Sequence, residues 1–192
     1  MGKIILASAS PRRKEILQKF NIDFDIRASV INEIINSGEE PKQIVMSLAF
    51  QKALDVALST ASNDIVIAAD TVVVKDEVFG KPKDFEDAFG MLKRLQGSYH
   101  DVITGLAVVQ ANTNCKHVTF EKTKVKIKQL TDEQIKRYID TGEVWDKAGA
   151  YAIQGKGSAL VESIESDYFN VVGLPICKLE NILRRYFDIY LF

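Results

Sequence analysis

The sequence predicts an α/β (mixed α+β) protein with a long mixed β-sheet flanked by helices, and three observations carry that prediction. Short, wholly apolar runs such as Ile65-Val66-Ile67-Ala68-Ala69 read as buried strands, while neighbouring segments repeat their apolar residues at helical spacing. Strands and helices follow one another without a regular βαβ repeat. Two long strand-like stretches, Tyr99 to Val109 and His117 to Lys128, flank a polar Asn112-Thr113-Asn114 turn and are expected to pair as an antiparallel ribbon. With 192 residues, 46% of them hydrophobic, the chain holds enough apolar material for one domain over 1–192 or two small lobes around a shared core.

Taken in order, Ile4-Ile5-Leu6-Ala7 is a short buried strand, ended by Ser8-Ala9-Ser10-Pro11. A helix with Ile16, Leu17 and Phe20 inward follows, with Ser10 as its cap and Pro11 at its first position. Phe24 to Ala28 is a second strand, and Pro41 to about Leu58 a long helix with Ile44, Val45, Leu48, Ala49 and Ala53 along one face. Ile65 to Ala69 is a third strand, after which Thr71 to Val74 stays apolar and β-branched up to a turn at Lys75-Asp76-Glu77. Gly80-Lys81-Pro82 breaks the chain before a helix capped by Asp84, lined by Ala88, Met91, Leu92 and Leu95, and ended at Gly97. Within the ribbon, Val125-Lys126-Ile127-Lys128 alternates as a half-exposed strand does. Thr131-Asp132-Glu133-Gln134 is a capping box opening a short helix that stops at Gly142. Leu160 to Ile164 is a strand, and Pro175 to Phe187 a closing helix with Leu179, Ile182, Leu183 and Phe187 inward.

Composition excludes several functions. A net charge of -1 gives no global attraction to a nucleic-acid backbone, and no aromatic-basic stripe is present. Cys115 and Cys177 lie far apart, so neither a disulfide framework nor a zinc site is suggested, and a reducing cytoplasm is expected. The apolar run at Ile4 to Ala7 is far too short for a signal segment or a membrane span. His100 and His117 have no ligand-like spacing, and a strand histidine is usually structural or exposed.

Four groups of residues are suited to chemistry. Ser8-Ala9-Ser10-Pro11-Arg12-Arg13 gathers two hydroxyls and two guanidiniums where a strand meets a helix N-terminus, a phosphate-binding arrangement, against the plainer alternative of a capped helix with solvated arginines. Asp70, directly after an apolar strand, is placed to hold a metal or take a proton, or else to cap a turn. Glu33 lies in a polar loop as a second, weaker carboxylate. Lys52 and Lys81 are surface lysines unless they point to one place, and Lys81 is held between Gly80 and Pro82. Asp146-Lys147-Ala148-Gly149-Ala150-Tyr151 and Gln154-Gly155-Lys156-Gly157 form a loop fit to approach a flat base. Gly155-Lys156-Gly157-Ser158 imitates the end of a phosphate loop but fails its spacing and context.

Together these segments resemble the Maf (septum formation inhibitor) family over nearly the whole chain, from Leu6-Ala7-Ser8-Ala9-Ser10-Pro11-Arg12-Arg13 to Gly173-Leu174-Pro175. The match takes in Ala69-Asp70-Thr71-Val72-Val73, Gly80-Lys81-Pro82, Met91-Leu92-Lys93-Arg94-Leu95, Ile103-Thr104-Gly105, Asp146-Lys147-Ala148-Gly149-Ala150-Tyr151 and Ile153-Gln154-Gly155. The resemblance implies an elongated mixed sheet related to the inosine triphosphate pyrophosphatases, with two lobes and a central cleft for substrate. It implies hydrolysis of nucleoside triphosphates to a monophosphate and pyrophosphate with a divalent cation, Mg²⁺ or Mn²⁺. By motif position Asp70 is similar to the family's catalytic base and Glu33 to its metal-binding acid, while Ser8, Arg13, Lys52 and Lys81 match phosphate-holding positions. Arg12, Thr71 and Gln154 resemble the set of members acting on dTTP and UTP, where relatives preferring 7-methyl-GTP carry Trp, Gln and Glu. The chain departs from the pattern where Asn32 precedes Glu33 and where Val144-Trp145 follows Glu143 in place of Glu-Pro. The expected partner is a nucleoside triphosphate, with no nucleic acid and no membrane and a homodimer left open. A non-catalytic nucleotide sensor acting on cell division is the rival reading, and the presence of both Asp70 and Glu33 speaks against it.

Overall fold

The computed structural model describes residues 2–20, 22–34 and 38–192. Its elements are β1 (Ile4–Leu6), α1 (Pro11–Leu17), β2 (Phe24–Ile26), α2 (Pro41–Leu58), β3 (Ile65–Val74), β4 (Val78–Phe79), α3 (Phe85–Leu95), β5 (Tyr99–Gln110), β6 (Lys116–Ile127), α4 (Asp132–Ile139), β7 (Val161–Glu165), α5 (Tyr168–Val172) and α6 (Ile176–Phe187). The sheet runs β2-β1-β3-β5-β6-β7, with β4 attached to β3. It is mixed, as expected: β1 pairs parallel with β2 and β3, whereas β4 and β7 pair antiparallel with β3 and β6. Every residue of β1 and the first five of β3 are buried, so helices cover both faces there.

The chain divides into two compact units. The first comprises Met1–Asp70, Thr104–Glu121 and Gly173–Phe192. One of its cores joins Ala49, Ala53, Val56 and Ala57 of α2 to Ile5, Ala7, Val66, Ala68, Ala107 and Val109 of the sheet. These side chains are mostly small, which lets the helix backbone settle close to the strands. At Gly105 the helix backbone comes very near the strand, since a Cβ there would stand 2.1 Å from the Val45 carbonyl oxygen. The second unit comprises Thr71–Ile103 and Lys122–Val172. Leu92 and Leu95 of α3, Ile135 and Ile139 of α4, and Val125 and Ile127 of β6 are buried in its core together with Tyr138 and Tyr151.

Local signals explain most boundaries. Asp84 accepts a hydrogen bond from the Asp87 N–H at 2.9 Å and so caps α3, and the Thr131–Gln134 capping box opens α4. Gly97 and Gly142 take positive φ at the two stops foreseen for them. Among inward residues of α6, Leu179 and Leu183 are fully buried, Ile182 and Phe187 half-buried.

Three expectations are corrected and one further helix is added. Ser10 occupies the cap position of α1, yet its side chain makes no capping bond; instead the Ser8 Oγ accepts from the Ser10 N–H at 3.2 Å. Strand β2 stops at Ile26, because β1, its one partner among the described residues, ends at Leu6, which is paired with Ile26. Asp70 does not follow a strand but lies within one, since β3 continues to Val74 and turns back at Lys75–Glu77 to pair Val73 with Phe79. Tyr168–Val172, unassigned by sequence, is a short helix entered where the Asp167 carboxylate accepts from the Phe169 N–H at 2.8 Å.

His100 is buried in the second unit, 3% exposed, with Nε2 2.7 Å from the Tyr151 hydroxyl and Nδ1 without a hydrogen-bond partner among the described residues. Burial depresses its pKa to about 4, so the ring is neutral at physiological pH; the histidine is structural, as expected.

Candidate active site

The first unit brings together Ser8, Arg13, Glu33, Lys52 and Asp70. Parallel pairing sets Leu6 beside Ile67, so Ala7 and Ser8 leave β1 at its carboxyl end while β3 runs on past β1 toward Asp70. That is where open α/β sheets present functional groups. Helix α2 crosses the same end, and Lys52, flanking its buried Ala49 and Ala53, reaches Asp70: Nζ to Oδ1 is 2.6 Å. The same ammonium lies 2.7 Å from Glu33 Oε1. The Lys52 and Asp70 side chains are only 17% and 15% exposed, so their attraction is little screened, while Glu33 at 46% remains open to solvent.

The loop carrying Glu33 is held by the same helix. Gln51 donates from Nε2 to the Ile34 carbonyl at 2.9 Å, and its Oε1 accepts from the Ile34 N–H at 3.1 Å. Asp55, one turn further, accepts from the Val30 N–H at 3.2 Å. Sequence reasoning missed both clamps, because a glutamine and an aspartate on a half-buried helix face carry no signal beyond their proximity in sequence to Lys52.

Arg13 is fixed from two sides: Nε donates to the Gly173 carbonyl at 2.7 Å and Nη1 to Ser8 Oγ at 3.3 Å. Burial draws its pKa below the usual value. Asp70 opposes that shift, Arg12 adds to it, and Glu33 opposes it. All four charges therefore act within one electrostatic neighbourhood, and a guanidinium so placed stays ionised. Arg12, Arg13 and Lys52 thus place three cationic side chains in the neighbourhood of these two carboxylates.

The second unit carries the other sequence candidates. Thr71 is half-buried on β3, Lys81 is exposed beside the buried Pro82, and Gln154 is half-buried at the head of a 3-10 turn, Gly155–Leu160. The Gly80 carbonyl accepts from the Gly149 N–H at 3.0 Å, tying the Lys81 loop to the Asp146–Tyr151 motif. Glu143, named by sequence only as the residue before the departure at Val144-Trp145, accepts from the backbone of Lys156 and Gly157 at 3.0 and 3.1 Å.

Among the described residues, no group of three or more His, Cys, Asp or Glu converges as a ready-made metal cage. Glu33 and Asp70 nevertheless point their oxygens at one spot, that of the Lys52 ammonium. Two hard carboxylates suit Mg²⁺ or Mn²⁺, which commonly take one or two protein carboxylates and complete their shell with water and substrate phosphate. No helix among the described residues is long and apolar enough to cross a membrane.

A family model described as Maf-like protein matches residues 3–186. A dTTP/UTP pyrophosphatase of Caldanaerobacter subterraneus is 56% identical over 188 residues, covering 97% of this chain and 90% of that protein. One from Clostridioides difficile is 53% identical over 190 residues, with 98% and 97% covered. Among solved structures, a HAM1 protein from Coxiella burnetii overlaps 66% of this chain and 73% of its own, at 17% identity and a TM-score of 0.47.

Proposed function

The chain belongs to the Maf-like protein family, and from that premise we propose that it hydrolyses dTTP and UTP to the nucleoside monophosphate and pyrophosphate. The observation that carries this reading is Lys52 seated between Asp70 and Glu33, at 2.6 and 2.7 Å, beside the Arg13–Ser8 pair. A triphosphate brings about four negative charges, and this is a cationic neighbourhood with a carboxylate in its midst.

In the proposed reaction water adds to the α-phosphorus, the bond from that phosphorus to the α–β bridging oxygen breaks, and pyrophosphate leaves. Asp70, which faces Lys52 as a hydrogen-bond acceptor, orients the water and takes its proton. Arg13 and the Ser8 hydroxyl hold phosphate oxygens, Arg13 with the fork-shaped donor set that matches them. Lys52 shifts its contacts from carboxylate to phosphate, and Lys81 supplies a further cation. Glu33 and Asp70 hold the divalent cation, which when bound neutralises phosphate charge and polarises the reacting centre.

Arg12, Thr71 and Gln154 select the base. A carboxamide both donates to and accepts from a uracil or thymine edge, whereas a glutamate only accepts. A cationic 7-methylguanine is repelled by Arg12, where an aromatic ring would instead stack on it. The test compares kcat/KM for dTTP, UTP, CTP, GTP and 7-methyl-GTP on one preparation, with and without EDTA. The expected result is a preference of about tenfold or more for dTTP and UTP, abolished by chelation and restored by Mg²⁺ or Mn²⁺. A higher kcat/KM for 7-methyl-GTP than for dTTP and UTP would falsify the base assignment, and full turnover in excess EDTA would remove the metal.

A further inference from the structure

We propose that Glu143 is a positioning residue for base selection, which fixes the backbone segment that presents Gln154; the inference rests on the reading of Gln154 given above. Its carboxylate spans two successive backbone donors, Oε1 accepting from Lys156 at 3.0 Å and Oε2 from Gly157 at 3.1 Å. Adjacent N–H groups of this kind form the concavity that binds phosphate in nucleotide loops. Here the chain's own carboxylate fills it, so Gly155-Lys156-Gly157-Ser158, which imitates a phosphate loop in sequence, is an internal clasp.

The fit leaves no slack. Gly155 takes φ +64, and a Cβ on it would meet Glu143 Oε1 at 2.8 Å. A Cβ on Gly157 would lie 2.3 Å from the Ala152 carbonyl oxygen and 2.5 Å from the Tyr138 hydroxyl. On the other side of Gln154, the Ala152 N–H donates to that same Tyr138 hydroxyl at 3.1 Å. Burial pushes the Tyr138 pKa up to about 12, with the Ala152 hydrogen bond acting the opposite way, so the phenol stays neutral. Gln154 is thus the middle of a short strap pinned two residues before it and two and three residues after it. Both pins belong to α4 and the turn that leaves it. Glu143 is itself held, its N–H donating to Thr141 Oγ1 at 3.3 Å, with that hydroxyl bonded to the Tyr138 carbonyl at 2.7 Å.

Base discrimination depends on placing one carboxamide within a fraction of an ångström, and a strap released at one end loses that placement. The experiment compares wild type with Glu143→Gln, which keeps the volume but has one acceptor where two are needed, and with Glu143→Asp, which keeps both oxygens. Gln154→Ala is run beside them. In Glu143→Gln the ratio of kcat/KM for dTTP to that for CTP and for 7-methyl-GTP is expected to fall by about tenfold, through KM more than kcat, with partial recovery in Glu143→Asp. A uniform loss across all nucleotides with the ratio intact shows a merely structural residue and overturns the proposal. If Gln154→Ala loses the ratio while Glu143→Gln keeps it, the proposal fails alone. If both keep it, the reading of Gln154 fails and takes the proposal with it. Should Glu143→Gln turn over too slowly to measure, amide hydrogen exchange in the nucleotide-free protein decides: residues 152–157 exchange about tenfold faster while α4 is unchanged, and unaltered exchange in the strap overturns the clasp.

Discussion

Asp70→Asn is expected to lower kcat for dTTP by a factor on the order of a thousand or more while leaving the fold intact. The substitution is nearly isosteric, and the amide oxygen can still accept from Lys52, whose ammonium also keeps Glu33 at 2.7 Å as a partner. No buried charge is stranded, and stranding one is what makes most changes to partly buried ion pairs costly. What is lost is the basic oxygen. General base catalysis alone contributes roughly 10²–10⁴-fold, and an amide is also a poorer ligand than a carboxylate for a hard cation. Circular dichroism and thermal melting establish folding, and phosphate release in the presence of inorganic pyrophosphatase measures turnover. A well-folded variant retaining a tenth or more of wild-type rate removes Asp70 from the role of base.

Gly105→Ala attacks the support of the same site. The added methyl carbon would stand 2.1 Å from the Val45 carbonyl oxygen, 2.3 Å from its carbonyl carbon and 2.7 Å from the Met46 nitrogen. All three are backbone atoms of α2, so no flexible side chain can yield and the helix itself must lift from the sheet. Overpacking a core costs about 1–3 kcal/mol, and a clash with backbone belongs at or above the top of that range. For a chain of this size the melting temperature should fall by about 10 °C. Lys52 rides on α2 two turns further on, so the surviving folded protein should also lose activity. Gly90→Ala is the control: it lies inside α3, and beyond the helix's own adjacent backbone no atom of the described residues comes within 4 Å of its added Cβ, so the change should be neutral or stabilising. Equal melting temperatures for Gly105→Ala and wild type would refute the close approach.

Much of this was legible in the sequence because the signals were local. Asp84 and the Thr131–Gln134 pair announce helix starts, and each makes the bonds its spacing implies. The alternation of Val125 and Ile127 with lysines fixes which face of β6 is inward, and both apolar residues are fully buried. The illegible parts depend on partners distant in sequence. Val78–Phe79 is a strand only because β3 runs past Asp70 to meet it. Tyr168-Phe169-Asn170-Val171-Val172 has the composition of a strand, yet it is helical between an aspartate that binds its second N–H and a glycine with φ +116. Within the site, Asp70 stood out as one carboxylate ending an apolar run. Nothing in an exposed loop marks Glu33 as the second acceptor of Lys52, and nothing in Glu143 marks it as the clasp of a loop beginning twelve residues later at Gly155.

The buried imidazole of His100 makes the protein's stability depend on proton activity. In the unfolded chain the ring titrates near its ordinary value of 6.5, whereas in the folded chain burial holds it to about 4. Above the unfolded value both states are neutral, and the residue imposes no pH dependence. As pH falls below about 6.5 the unfolded state alone takes up the proton, so stability is lost progressively until the folded ring also protonates near 4. Between pH 7 and 5, before most carboxylates titrate, the loss amounts to about 2 kcal/mol, or a melting temperature lower by roughly 4–8 °C. Thermal melts across that interval measure it. In His100→Gln, which offers Tyr151 a polar partner but binds no proton, the slope should flatten; an equally steep decline would assign the linkage to another group. Mild acidification therefore acts on this molecule as a denaturant through one ring, far in sequence from the carboxylates to which we assign its chemistry.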